Sequence, residues 1–296
     1  MKYIKRILIS AVFLACAGCG TPVKPEPRFQ KEQWNVSYGT HLQQKMDLVF
    51  PDAPDYITQP LNAVLFIHGG GWASGDKSDY SGLIQTMANT DFPRFAAASM
   101  NYRMFGDNAD CEDMLEDISS ALEYMKSYAL KFGVTINKVF LMGASAGGHL
   151  SLLYAYKNYS ISPVPVAFVV SQAGPADFTD PNVFGVNEDF MYFNISKLTG
   201  IPINAGNKAS YQNEILSVSP IHYVSADIPT LMAYGRLDGL VPFSNAERLK
   251  SALDGAGCRA DLLTFPNSGH DLSDPADAPV SQEFFLKLIE YIAAYM

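Results

Sequence analysis

Cysteine and histidine are scarce, 4 and 5 in 296 residues, and no stretch sets them at metal-ligand spacing or forms an H-E-x-x-H pair. No metal site is expected. Lys and Arg are few as well, 21 against 30 Asp and Glu, so a grip on a phosphate backbone would lack the clustered cations it needs. Nucleic acid is excluded as an expected partner. No apolar run reaches the about 20 residues that cross roughly 30 Å of hydrocarbon, and no internal repeat or low-complexity tract is present. What remains is 48% apolar and 17% charged, a balance that fits one large packed core and excludes disordered, collagen-like and coiled-coil classes.

The amino end stands apart from that core. Lys2, Lys5 and Arg6 precede an apolar run over residues 7–17, interrupted by Ser10, and small residues then surround Cys16 and Cys19. This order reads as an export signal. Cys16-Ala17-Gly18-Cys19 resembles a bacterial lipoprotein cleavage site, although Cys16 stands where an aliphatic residue is usual; an ordinary signal peptide cut nearby is the other reading. The expectation is a signal peptide over 1–18, lipidation of Cys19, and a tether over 19–35 that holds a folded domain, 36–296, at the bacterial cell envelope on a periplasmic or outer-membrane face. Pro22, Pro25 and Pro27 favour extended, semi-rigid geometry in the tether. Loss of the three cations in residues 1–18 would move the formal charge from -9 to -12.

Near-continuous apolar runs at 63–67, 95–100, 138–142, 166–171, 230–234 and 260–265 read as strands covered on both faces of a mostly parallel sheet. They alternate with helical patterns at about 78–90, 111–132, 146–158, 243–255 and 279–295. In the second of these, Met114, Leu115, Ile118, Leu122 and Met125 recur at three- and four-residue steps and form one apolar face. The alternation predicts an α/β fold with helices on both faces of the sheet. Residues 34–50 add an antiparallel start. Residues 179–227 break the rhythm, with Phe184, Phe190, Tyr192, Phe193 and Tyr211 among turn residues and no strong strand; such a segment is expected to be a lid or pocket.

Gly143-Ala144-Ser145-Ala146-Gly147 lies directly after one strand and directly before a helix. This is the G-x-S-x-G turn in its required context, where glycines permit a tight reversal that lifts the serine hydroxyl above the sheet edge. A reactive serine needs a base. His41 precedes the sheet core, His68 belongs to a glycine loop, His149 lies one helical turn after Ser145 and is expected to pack or cap, and His222 comes before the last strands. His270 remains, on the loop after strand 260–265. Partners of an elbow serine follow in the order serine, acid, histidine, so the acid is expected at a strand end between 145 and 270; Asp238, just past strand 230–234, is the favoured candidate and Asp177, after another strand, the competitor. His68-Gly69-Gly70-Gly71-Trp72 follows strand 63–67 and leaves main-chain N–H groups unshielded, as a developing oxyanion requires of its donors.

Several pieces now stand in order: Met46-Asp47-Leu48 leading to Pro51, the glycine loop followed by Gly75-Asp76-Lys77, Asn101-Tyr102-Arg103, Asp117, the serine elbow, residues 219–224 (Ser-Pro-Ile-His-Tyr-Val), Gly235 to Asp238 with Val241-Pro242, and Gly269-His270. Together they resemble the α/β-hydrolase superfamily, and within it esterases of the hormone-sensitive-lipase and bacterial feruloyl-esterase-like kind, over roughly residues 45–295. The resemblance implies Ser145 as nucleophile, His270 as general base and then acid, and Asp238 as orienter of the imidazole. It implies backbone N–H groups of Gly70, Gly71 and Ala146 as oxyanion donors, with Gly69 serving the turn. Trp72, Tyr102 and residues 179–227 are expected to line the acyl pocket, and no cofactor is called for. The same frame sets Cys111 and Cys258 at opposite ends of the sheet, as two free thiols. The implied activity is serine carboxylesterase action on small to medium acyl esters, with acetyl or feruloyl esters of carbohydrates as candidates. The loop with Trp72 and Lys77 also resembles that of aryl formamidases, and a lipid-anchored binding protein on a hydrolase fold is the non-catalytic alternative.

Overall fold

The computed structural model describes residues 31–51, 60–89, 95–131, 133–184, 188–224 and 228–296. The expected signal peptide, Cys19 and the tether up to residue 30 lie outside the described residues. The strands are β1 (Lys31–Ser37), β2 (Lys45–Phe50), β3 (Leu61–Ile67), β4 (Phe95–Met100), β5 (Ile136–Ala144), β6 (Val166–Gln172), β7 (Thr230–Gly235) and β8 (Ala260–Phe265). The helices of six residues or more are α1 (Ser81–Asn89), α2 (Cys111–Leu130), α3 (Ala146–Lys157), α4 (Glu188–Thr199), α5 (Gln212–Ser217), α6 (Phe243–Gly255) and α7 (Ala278–Tyr295).

All eight strands form one sheet in the order β1-β2-β4-β3-β5-β6-β7-β8. β1 pairs antiparallel with β2, and β2 with β4. From β4 to β8 every pairing is parallel. The six apolar runs all become strands, because a chain covered on both faces must be apolar at every position. β1 differs: it starts at Lys31, inside the span expected as tether, and its polar sequence suits an edge strand with one side in water.

Each sheet face carries its own core. Val64, Phe66, Phe140, Phe168 and Leu231 pack with Ile84 of α1 and with Phe284, Tyr291 and Ile292 of α7. On the other face Leu65, Ile67, Leu141, Val169 and Met232 meet Ile118 and Leu122 of α2, Leu150 and Leu153 of α3, and Leu249 of α6. Fully burying a side chain of this size is worth about 1.5–3 kcal/mol. The packing is also specific, as where the Phe140 and Phe168 rings stack 4.6 Å apart across neighbouring strands.

The strand order places the site. β3 leads through α1 to β4 on one side, whereas β5 lies on the other side of β3 and the chain proceeds from there to β8. Helices therefore leave the carboxyl ends of β3 and β5 in opposite directions, which makes this the topological switch point, the place where open α/β sheets bind their ligands. The glycine loop follows β3 and Ser145 follows β5.

Cys111 begins α2 and Cys258 precedes β8; both are buried and neither is in a disulfide. Thiol titration of unreduced, denatured protein should modify Cys111 and Cys258 alike, as read by peptide mapping. Two unreactive residues would contradict the free-thiol state. No helix among the described residues is long and apolar enough to cross a membrane.

Candidate active site

Between β5 and α3, Ser145 adopts φ 54° and ψ -122°. A positive φ of this kind costs a residue with a side chain about 1–3 kcal/mol. Its glycine neighbours make the turn possible. A Cβ on Gly147 would lie 2.0 Å from the Ile67 carbonyl oxygen, and one on Gly143 would lie 2.3 Å from the Gly147 carbonyl. Serine at a helix start ordinarily caps the helix through its hydroxyl, but Ser145 makes no such bond. Its Oγ lies 2.9 Å from His270 Nε2 instead.

The other ring nitrogen, Nδ1, lies 2.7 Å from Asp238 Oδ2. A carboxylate only accepts, so Nδ1 carries the proton and Nε2 is free to accept from the serine. Asp238 is itself fixed: its Oδ1 accepts the N–H groups of Leu240 at 2.8 Å and Val241 at 2.9 Å. The Asp238 side chain is 0% exposed and that of His270 22%, which keeps the carboxylate dry and the imidazole within reach of a bound molecule. Asp177 is engaged elsewhere, accepting from Arg248 Nε at 2.6 Å and from the Thr179 N–H at 2.8 Å. The histidine loop has an anchor that the sequence reading missed. Ser268 Oγ donates to Asp277 Oδ2 at 2.6 Å, and the Asn267 N–H donates to the same oxygen at 3.1 Å.

The glycine loop is seated against the elbow: a Cβ on Gly69 would lie 2.9 Å from the Ala144 carbonyl oxygen and 3.3 Å from Ser145 Cβ. Gly70, Gly71 and Trp72 follow with φ of 111°, 61° and 57°. The turn closes where the Gly70 carbonyl accepts from the N–H groups of Ala73 at 3.2 Å and Ser74 at 3.1 Å. The motif residues behind it prove to be its foundation. Lys77 Nζ pairs with Asp47 at 3.0 Å, the Lys77 N–H donates to Asn101 Oδ1 at 2.5 Å, and Asn101 Nδ2 donates to Asp76 Oδ2 at 2.8 Å. Burial alone would raise the Asp76 carboxyl, but hydrogen bonds from Asn101 and Ser78, with the neighbouring Lys77 charge, bring it down to about 2. One strand further along, Asp117 accepts the Arg103 N–H at 2.7 Å and Arg103 Nε at 2.9 Å.

The two aromatic residues expected at the acyl pocket are both buried. Tyr102 is fully buried; its ring stacks on His68 at 4.5 Å and its hydroxyl donates to the His68 carbonyl at 3.1 Å. Trp72 is 4% exposed, with its indole edge-on to His149. Tyr102 thus packs against the residue that opens the glycine loop, and Trp72, which ends that loop, against His149 of α3. Within 179–227 the structure forms helices α4 and α5 where an irregular segment was expected. On α4, Phe193 is half exposed and touches Phe105 edge-on, 6.3 Å between centroids, and Phe105 in turn lies 6.0 Å from Trp72.

A family model, BD-FAE, matches residues 46–253, a span holding the glycine loop, the serine elbow and Asp238. The chain belongs to the BD-FAE family. Among curated relatives of this BD-FAE chain is an isoprenylcysteine alpha-carbonyl methylesterase of Arabidopsis thaliana, 24% identical over 253 residues that cover 81% of this chain and 57% of the relative. The chain thus spans little more than half the length of that relative. Among solved structures, an inhibited esterase B from Lactobacillus rhamnosis superposes with a TM-score of 0.69 at 20% identity, covering 91% of this chain and 88% of the other. The propionate-bound esterase Est2 of Thermogutta terrifontis gives 0.66 at 22% identity, covering 89% and 93%. These likenesses agree with the α/β-hydrolase fold described above.

Proposed function

We propose that this BD-FAE protein is a serine carboxylesterase that cleaves small to medium acyl esters through an acyl-serine intermediate. The observation that carries the reading is the unbroken path from Ser145 Oγ through His270 to Asp238, at 2.9 and 2.7 Å, beside a glycine loop packed on the elbow. His270 Nε2 takes the hydroxyl proton as Ser145 Oγ bonds to the ester carbonyl carbon. The carbonyl oxygen becomes an oxyanion, held by the N–H groups of Gly70, Gly71 and Ala146, the last at the amino end of α3 where helix dipoles favour negative charge. Collapse breaks the bond to the alcohol, which leaves with the proton from His270. Water, deprotonated by the same imidazole, then attacks the acyl-serine and releases the acid and the free hydroxyl.

Gly70→Ala tests the oxyanion part. A Cβ there would meet the Ser74 carbonyl at 2.1 Å, on a backbone with φ 111°, so the loop must move. Loss of one such donor is worth about 10²–10³ in kcat, with KM little changed. An unchanged kcat would remove Gly70 from the mechanism.

The acyl and alcohol preferences are tested by chromogenic esters of graded acyl length, feruloyl and acetyl-xylan esters and N-formylkynurenine, each run against wild type and Ser145→Ala. Turnover of short-chain esters that vanishes with Ser145 supports the reading, and acetyl or feruloyl carbohydrate esters are the candidates within it. Turnover of N-formylkynurenine alone would replace it with formamide hydrolysis, and no turnover at all would favour a binding protein. The proposal includes an envelope location with lipid on Cys19, supported by the basic start, the apolar run and the Ala-Gly-Cys ending. Cys19→Ser should then move the protein from the membrane fraction to the soluble one.

A further inference from the structure

His149 lies one helical turn beyond Ser145 and its ring is fully buried. Trp72 Nε1–H donates to its Nδ1 at 3.2 Å, and its Nε2 lies 2.8 Å from the Val218 carbonyl oxygen. An indole N–H only donates and a carbonyl only accepts, so the ring is neutral with its proton on Nε2. The ring therefore links three parts of the molecule: the glycine loop through Trp72, the nucleophile's helix α3 through its own backbone, and the segment after α5 through Val218. The Trp72 end matters most. Trp72 follows Gly70 and Gly71 directly and holds a φ of 57°, a conformation that an aromatic residue keeps only when its surroundings impose it.

We propose that His149 is a positioning residue for ester hydrolysis: its ring holds the indole of Trp72, and through it the Gly70–Gly71 backbone, in the orientation that receives the oxyanion. The inference rests on the serine-esterase reading above. What faces the ring is Trp72, edge-on with centroids 5.2 Å apart, Phe178 at 5.4 Å, and the Val218 carbonyl. No titratable side chain is among these. Burial, opposed by the Val218 carbonyl, holds the imidazole down to about 4, so the clamp is closed at neutral pH. Protonation of Nδ1 would set two donors face to face and open it.

The test compares wild type, Trp72→Phe, His149→Leu and His149→Gln on one chromogenic ester, with Ser145→Ala as the blank. Trp72→Phe, which removes the donor and leaves α3 untouched, and His149→Leu should each lower kcat by about 10- to 100-fold while KM stays within about threefold. His149→Gln offers an acceptor and a donor on one carboxamide and should recover kcat to within about threefold of wild type. Full kcat in Trp72→Phe, or a His149→Gln variant as damaged as His149→Leu, would overturn the proposal.

A second arm needs no turnover. The chain has 2 tryptophans, so Trp34→Phe leaves the Trp72 emission alone. An imidazolium quenches a neighbouring indole, so this emission should fall as pH passes through about 4 while far-ultraviolet circular dichroism stays unchanged, and it should not fall when His149→Gln is added. A pH-independent Trp72 emission in folded protein would overturn the clamp. Absence of ester turnover with a normal emission titration would instead overturn the esterase reading and leave the clamp standing.

Discussion

Ser145→Ala should lower kcat for a chromogenic ester by about 10⁴-fold or more without loss of secondary structure. The hydroxyl is the group that His270 Nε2 faces at 2.9 Å, and it contributes no helix cap, so its removal takes away chemistry and little else. A companion substitution separates chemistry from strain. Ser145→Gly should be as inactive as Ser145→Ala but melt at a higher temperature, since glycine populates the φ of 54° at this position without the steric penalty that alanine retains. Retained turnover in either variant would place the nucleophile elsewhere. Equal melting temperatures would show that the elbow stores no strain.

The second large effect is expected from Asp238→Asn, about 10⁴-fold in kcat. The carboxamide would keep its oxygen toward the Leu240 and Val241 N–H groups, which donate at 2.8 and 2.9 Å. Its NH₂ must then point at His270 Nδ1. Two donors cannot share that contact, so the imidazole proton shifts to Nε2, and a protonated Nε2 cannot accept from Ser145. Steady-state kinetics beside circular dichroism would check this, and a variant with more than a tenth of wild-type kcat would contradict it. Asp177→Asn is the control. It should cost stability, because the Arg248 guanidinium 2.6 Å away loses its charge partner, while kcat stays within about threefold of wild type.

The parallel strands were legible because burial on both faces writes itself as uninterrupted apolar sequence, and β4 and β8 coincide with the runs at 95–100 and 260–265. β1 was not legible at Lys31. An edge strand half in water carries Lys31, Glu32 and Gln33, which read equally well as tether. α4 was hidden for another reason. Its aromatic residues suggested a binding loop, yet Met191, Ile195 and Leu198 are buried at four- and three-residue steps, with Glu188 and Asp189 in the first turn and Lys197 in the last. That periodicity and charge placement were the missed signal.

At the site, chain order admitted both Asp238 and Asp177, and the folded contacts separate them, with Asp238 Oδ2 2.7 Å from His270 Nδ1 and Asp177 held by Arg248; the elbow context separated Ser145 from other serines. The supports were harder to see. Asp47, the one acidic residue of β2, is a buried charge that needs a partner, and that partner is Lys77 at 3.0 Å. His149 with Trp72 and Val218, or Ser268 with Asp277, give no hint in the sequence, since no spacing rule joins residues that meet only after the sheet has formed.

The most direct measurement is labelling of the wild-type protein with a fluorophosphonate, followed by mass spectrometry of its peptides. A nucleophile activated through His270 and Asp238 should yield one phosphonyl adduct, on the peptide carrying Ser145, formed far more slowly in His270→Ala and absent from Ser145→Ala. A folded protein that takes up no label, or takes it up on a different serine, would contradict activation of Ser145 by the relay.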